Sequence, residues 1–264
     1  MPGPVRPPLA AGFRLSGDYW LDRSMTPVTP VQPIPDPGTG LTAYPHEVLA
    51  VVLSVRQGRL SVLLWRRARA PGRGRWSLPG GGVQPDERLR TAITRHLATK
   101  VDVREIAHLE QLATHSDPAR DPRMRVLATA YLALVPSDAS PGLPADTAWH
   151  AVDELPPTAF DHHFFVETGR DRLRAKLSYS NIGFALVPGE FTMPELRIVV
   201  SGALGHDVSQ TNLSRVLERR GTVEPTGRLL PSGARGGRPA KVYRFASREL
   251  TVTDPFAVFR PPEA

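Results

Sequence analysis

Residues 76–103 read WSLPGGGVQPDERLRTAITRHLATKVDV and carry the strongest structural signals in the chain. Three glycines in a row, at positions 80–82, follow a short apolar segment and open into a polar connection. From residue 86 to residue 100, Leu89, Ile93 and Leu97 recur at the spacing of one helical face. The stretch therefore predicts a glycine-rich loop that leads into a helix with one buried side.

Apolar segments on both sides of this helix predict a β-sheet. Before the helix, two buried strands are joined by a short turn, and after it come three further strand candidates. We expect strands at residues 48–55, 60–65, 107–114, 126–135 and 149–155. Strands that flank such a helix form an α/β sandwich, and a partly amphipathic helix at residues 160–178 would lead out of it.

The C-terminal third predicts a helix-turn-helix unit followed by a basic hairpin. In residues 191–221, Pro194 lies in the first turn of one helix and Ser209 is a good N-cap for the next. The second helix has a polar face suited to base edges and phosphates, formed by Gln210, Thr211, Asn212, Ser214, Arg215 and Arg219. Arg235, Arg238 and Lys241 lie near the tip of the hairpin, where they would contact phosphates or the minor groove. This combination is typical of a winged helix that binds double-stranded DNA.

Composition limits the class of protein. The 264 residues include no cysteine, which excludes disulfides, thiolate metal sites and cysteine nucleophiles. Residues 170–260 hold 15 Lys or Arg against 8 Asp or Glu, so the net charge of +7 belongs to the C-terminal third, as expected of a part that meets a polyanion. No segment approaches the roughly 20 apolar residues that span a bilayer, and we expect a cytoplasmic protein.

The same patterns divide the chain into five parts. Residues 1–45 contain ten prolines and little periodic apolar pattern, which predicts a mostly disordered arm. The sandwich takes residues 46–157, a linker helix residues 158–182, and the winged helix residues 183–250, before a C-terminal tail at residues 251–264. The expected fold class is α+β, with a mixed sheet between helices followed by a winged helix-turn-helix domain.

The stretch from residue 81 to residue 103 resembles the Nudix box, the signature of nucleoside-diphosphate-X hydrolases. Gly81, Glu87 and Arg95 match that motif. The metal-binding glutamates of the motif are replaced by His96, Thr99 and Lys100, and its closing glycine by Asp102. Positions 96, 99 and 100 share one helical face, where active family members hold Mg²⁺ with carboxylates. An imidazole, a hydroxyl and an ammonium cannot do so, and we expect no metal site, no catalytic residue and no cofactor.

Two of the replacements have plainer interpretations. As a helix residue, His96 is expected to be solvated rather than a ligand. Lys100 could be a surface lysine, or it could occupy the space of the lost metal and offer its charge to a diphosphate.

The whole of residues 46–245 resembles the Nudix-related transcriptional regulators of NAD metabolism, the NrtR type. LLWRRA (63–68), RWSLPGG (75–81), the linker LRAKLSYSNI (173–182) and GRPAKVYRF (237–245) carry the likeness, together with a loop rich in Asp, Pro and Arg at residues 117–123. The resemblance implies a homodimeric repressor that releases operator DNA when ADP-ribose or a related nucleotide fills the Nudix pocket. The candidates for effector binding are Arg66, Arg67, Trp76, Arg95 and Lys100.

Two other functions stay open at the level of sequence. In an enzyme, Glu87 with carboxylates such as Glu105 or Glu110 would assemble a metal site elsewhere and hydrolyse ADP-ribose-like substrates. In an interaction module, the C-terminal domain would contact protein, because helix-turn-helix patterns also occur in proteins that never touch DNA.

Overall fold

The computed structural model describes residues 34–35, 42–231 and 239–254. Its strands are β1 (Ile34–Pro35), β2 (Thr42–Ala43), β3 (His46–Arg56), β4 (Arg59–Arg66), β5 (Trp76–Ser77), β6 (Gly80–Gly82), β7 (His108–His115), β8 (Leu127–Leu134), β9 (Thr147–Ala151), β10 (Phe191–Thr192), β11 (Val223–Leu230) and β12 (Ala240–Phe245). Its helices are α1 (Leu89–Lys100), α2 (His162–Tyr179), α3 (Met193–Leu204) and α4 (Gln210–Arg219), with 3-10 turns at Val152–Glu154 and Ile182–Ala185.

A mixed sheet forms the centre of the first domain. Its strands are ordered β5-β4-β3-β8-β7, and β6 and β9 pair with β3 and β4. Strands β3 and β8 run parallel, whereas the other pairs are antiparallel. The turn between β3 and β4 places Gln57 and Gly58 at positive φ, 51° and 75°, the conformation that a two-residue hairpin requires.

Strand β3 is apolar on both sides because each side faces a different helix. Val48, Ala50 and Val52 pack in the cluster that contains α1 residues. The alternate residues of β3 pack in a second cluster, with Phe165 and Leu173 of α2. A strand buried on both faces has a continuous apolar sequence, which explains the run at residues 48–55.

The winged helix shares its core with the first domain. The second cluster continues through Phe184 and Leu196 to Phe245 of β12. On α3, a Cβ placed on Gly202 would lie 2.5 Å from the carbonyl oxygen of Gly58, so helix and hairpin turn approach without a side chain between them. The two domains therefore pack directly against each other.

Local sequence explains the helix-turn-helix unit. Thr192 and Glu195 form a capping box at the start of α3, which ends at Gly205 with φ +79°. The hydroxyl of Ser209 accepts a hydrogen bond from the backbone of Asn212 and so caps α4. Strands β10, β12 and β11 form the wing sheet. The predicted winged helix is present.

Three details differ from the expectation or lie outside the described residues. The last strand of the first domain is Thr147–Ala151, and the expected continuation to residue 155 is a 3-10 turn whose Asp153 and Glu154 pair with Arg59. The disordered arm predicted at residues 1–45 falls mostly outside the described residues, as do Arg235 and Arg238. None of the helices in the described part of the chain is long and apolar enough to cross a membrane.

Candidate functional site

The glycine strand β6 brings α1 directly against the sheet. A Cβ on Gly80 would lie 2.1 Å from the carbonyl oxygen of Val48, so only glycine fits beside β3. A Cβ on Gly81 would lie 2.7 Å from Cε1 of His96 and 3.0 Å from Nζ of Lys100. Two of the three positions that replace motif glutamates, His96 and Lys100, therefore line the glycine strand.

His96 is a buried residue, and the expectation that it is solvated was wrong. Its side chain faces the glycine strand, where Nε2 lies 2.9 Å from the carbonyl oxygen of Gly82 and donates to it. Burial lowers the pKa of His96 to about 4, so the ring is neutral at pH 7. Sequence spacing did not reveal this, because the apolar residues of α1 mark only part of its buried face.

Lys100 projects its ammonium into the same region. Nζ donates a hydrogen bond of 2.6 Å to the carbonyl oxygen of Gly80 and lies 5.6 Å from the ring centroid of Trp65. Burial is the main reason that the pKa of Lys100 falls to about 8; the charges of Arg95 and Arg67 act in the same direction, and the charge of Glu47 opposes them. Lys100 is thus a partly desolvated cation that remains mainly protonated at pH 7.

The one glutamate that matches the motif is paired. Both carboxylate oxygens of Glu87 accept hydrogen bonds from Arg95, which also donates to the carbonyl of Gly82. These bonds hold the pKa of Glu87 below its usual range. Thr99 is exposed, and its hydroxyl donates to the Arg95 carbonyl at 2.8 Å. Within residues 42–231 and 239–254, no cluster of three or more His, Asp or Glu could hold a metal ion.

A buried ion-pair network lies close to Lys100, since the charge of Glu47 acts on the Lys100 ammonium. The Arg120 side chain, 1% exposed, donates to Glu47 of β3 at 2.6 Å and to both oxygens of Asp161, which precedes α2, at 2.8 and 3.0 Å. His115 Nδ1 lies 2.6 Å from the same Asp161 carboxylate. Burial alone would raise the pKa of Asp161, but the hydrogen bonds from Arg120 and His115 keep it low.

In the sequence, the Asp-, Pro- and Arg-rich loop at residues 117–123 is distinctive only as part of the family resemblance. The sole signal for a role of Arg120, Glu47 and Asp161 was that loop, because the three residues lie far apart along the chain.

The predicted effector residues fall into two groups. Arg67, Arg95 and Lys100 are close enough to perturb one another electrostatically. Arg66 instead stacks on Trp76 at 4.9 Å, and Trp76 packs edge-on against His150 at 4.3 Å. Because successive strand residues point to opposite sides, Arg66 at the end of β4 faces away from Trp65 and Lys100. The structure therefore brings Arg67 and Arg95 close to Lys100, and it places Arg66 and Trp76 in a separate group.

The predicted DNA-binding residues within the described chain lie on the outer side of the winged helix. The exposed ones are Gln210, Thr211, Asn212, Arg215, Arg219 and Lys241, and Ser214 is partly exposed. Arg215 donates to the Asn212 side chain at 2.9 Å, which orders two of them. On the wing, Arg228 and Arg244 are paired with Glu190 and Glu224.

Comparison with known proteins identifies the two domains. The model of the NUDIX domain matches residues 44–167, and that of the NrtR DNA-binding winged helix domain matches residues 183–245. The ADPR-responsive transcriptional repressor NtrR of Acinetobacter baylyi is 31% identical over 222 residues, which cover 80% of this chain and 87% of that protein. The chain belongs to the NrtR family.

Solved structures agree with this assignment. The crystal structure of Shewanella oneidensis NrtR with a 27mer DNA has 32% sequence identity and a TM-score of 0.66, over 75% of this chain and 92% of that one. The predicted fold class, a Nudix sandwich followed by a winged helix, is confirmed.

An ADP-ribose pyrophosphatase of Methanocaldococcus jannaschii is also similar in sequence, 28% identical over 47% of this chain and 73% of that protein.

Proposed function

We propose that this protein is a transcriptional repressor that binds operator DNA through α4 and the wing, and releases it when ADP-ribose or a related NAD-derived nucleotide occupies the pocket around Lys100. The observation that supports effector binding is the position of the Lys100 ammonium against the glycine strand, 2.6 Å from the Gly80 carbonyl oxygen. Membership of the NrtR family and the exposed polar face of α4 support DNA binding.

Lys100 supplies positive charge where a hydrolase of this fold would hold Mg²⁺. A diphosphate needs a cation or several charged donors to bind, and Lys100 and Arg67 provide them. A fixed ammonium does not lower the pKa of a bound water as a metal does, so it binds a diphosphate without creating a nucleophile. The proposal is therefore a receptor that binds its nucleotide without cleaving it.

The carboxylates suggested for a displaced metal site are engaged elsewhere or isolated. Glu110 pairs with Lys176 at 3.0 Å and with Arg172 at 3.3 Å. Glu87 is held by Arg95, and Glu105 is exposed. These contacts favour the receptor over the hydrolase.

The DNA-binding form is proposed to be a homodimer on a palindromic duplex. Recognition helices related by a two-fold axis reach successive major grooves about one helical turn apart. Arg215 and Lys241, with Arg235 and Arg238, are the proposed cationic contacts.

A binding assay tests the proposal. A duplex is first enriched from a random-sequence pool by the wild-type protein, and its affinity is measured with and without ADP-ribose. We expect tight binding that ADP-ribose weakens, and loss of binding in the Arg215→Ala/Lys241→Ala variant. Arg104→Ala is the matched control, since Arg104 is exposed and paired with Asp102 in the Nudix domain.

Two results would contradict the proposal. One is the absence of any enriched duplex, and the other is Mg²⁺-dependent release of AMP from ADP-ribose by the wild-type protein.

Restoring the motif in a His96→Glu/Thr99→Glu/Lys100→Glu variant should create a Mg²⁺ site detectable by calorimetry, whereas Thr99→Glu alone should not.

A further inference from the structure

The C-terminal end of α2 is closed by groups from the winged-helix domain and from the segment that follows it. The last carbonyls of a helix have no partner within the helix and must find donors elsewhere. The carbonyl of Ser178 accepts a hydrogen bond of 3.2 Å from Nη1 of Arg220. The carbonyl of Tyr179 accepts from the backbone amides of Thr253 and Asp254 at 2.9 and 3.2 Å.

Arg220 is the residue directly after the recognition helix α4. Its Nη2 lies 3.3 Å from the carboxylate of Asp254, and its side chain is only 13% exposed. The preceding arginine, Arg219, is exposed on the outer face. Two adjacent arginines thus point to different surroundings, one towards solvent and one into the junction with α2.

The segment that carries Asp254 is itself fixed to the end of α2. Asn181, 4% exposed, accepts from the amide of Thr251 at 2.8 Å and donates from Nδ2 to the carbonyl of Glu249 at 2.8 Å. Its own amide donates to the carbonyl of Thr251 at 3.1 Å. Asp254 is therefore held in place, and it fixes the guanidinium of Arg220.

We propose that Arg220 is a positioning residue for operator recognition, because it fastens the end of α4 to the end of α2 through Ser178 and Asp254. Its positive charge meets the negative end of the α2 dipole and a carboxylate rather than a phosphate. The proposal rests on the proposed DNA-binding function and adds a residue that acts through the orientation of the recognition helix.

Affinity for two duplexes separates positioning from direct contact. The probes are the duplex enriched by the wild-type protein and an unrelated duplex of equal length, each titrated over a range of salt. We expect Arg220→Gln to weaken binding of the enriched duplex at least tenfold. Binding of the unrelated duplex and the salt dependence should be unchanged. Arg219→Ala, the matched control for a phosphate contact, should weaken both and reduce the salt slope by about 1.

Asp254→Asn provides a second variant in case Arg220→Gln fails to fold. It should reproduce the selective loss with the enriched duplex, and the double variant should be no worse than Arg220→Gln alone. An equal loss of affinity for both duplexes, with a reduced salt slope, would show that Arg220 contacts DNA. That result would overturn the positioning role but not the proposed function. Unchanged affinity in either single variant would also overturn it. Failure of the wild-type protein to enrich any duplex would instead overturn the proposed function itself.

Discussion

Two buried histidines should make the folded protein sensitive to mild acid. His162 is 3% exposed, and its Nδ1 accepts a hydrogen bond of 2.9 Å from the backbone amide of Leu78. Protonation would replace that acceptor by a second donor, and burial lowers the pKa of His162 to about 3. In His96 burial lowers the pKa to about 4. Both rings are therefore neutral in the folded state throughout the mildly acidic range.

The sign and size of the effect follow from linkage. Below the unfolded histidine pKa of about 6.5, both imidazoles become protonated in the unfolded chain but stay neutral in the folded state. Above that pH the rings are neutral in both states and the full free energy of unfolding is retained. The free energy of unfolding decreases as the pH falls from about 6.5 towards the pKa values of the folded state. The loss is about 1.4 kcal/mol per pH unit for each ring, or about 2 kcal/mol each and 4 kcal/mol together at pH 5.

Urea unfolding followed by tryptophan fluorescence at pH 7.5, 6.5 and 5.0 measures this loss. The comparison is a His96→Gln/His162→Asn variant, whose side chains keep the donor to Gly82 and the acceptor for Leu78 without titrating. The free energy of unfolding should fall by about 4 kcal/mol less between pH 7.5 and 5.0 in the variant than in the wild-type protein. His46 and His150, whose pKa values burial also lowers, contribute to both proteins and cancel. Parallel pH dependence of the two proteins would refute the reasoning.

Three further substitutions test the pocket, the buried network and the domain contact. Lys100→Met should weaken ADP-ribose binding roughly 10- to 100-fold in calorimetry, as expected for a charged hydrogen bond, while raising the melting temperature because a desolvated ammonium is removed. Arg120→Met should cost about 3–5 kcal/mol of unfolding free energy in urea, since it leaves the buried Glu47 carboxylate unpaired; a change under about 1 kcal/mol would show that the network relaxes. Gly202→Ala should cost about 1–3 kcal/mol because its methyl group would meet a carbonyl of the β3–β4 turn, whereas Gly189→Ala, with open space around the new methyl group, should be neutral.

Local patterns were sufficient to predict the elements that surround the site. The apolar run at residues 48–55 became β3, and the spacing of Leu89, Ile93 and Leu97 became α1. Ser209 caps α4 as its position and side chain suggested. These signals succeed because the physical cause of each element lies within a few residues of it.

The surroundings of individual polar side chains could not be predicted in the same way. His96 was expected in solvent, yet the glycine strand, fourteen residues earlier at Gly82, covers it. Arg66, Trp76 and Lys100 were all candidates for effector binding, and only the structure shows that Arg66 stacks on Trp76, away from Lys100.

The sequence alone determined the two-domain organisation, the presence of His, Thr and Lys rather than carboxylates at positions 96, 99 and 100, and the polar face of α4, because periodicity, capping and residue chemistry are properties of neighbouring positions. Tertiary structure decided which charges are buried and with whom: Arg120 joins Glu47 and Asp161 across 73 and 41 residues, and Arg220 reaches Ser178 across 42. Such pairs are set by how sheet and helices pack, since burial and partner choice depend on residues that meet only after the chain has folded.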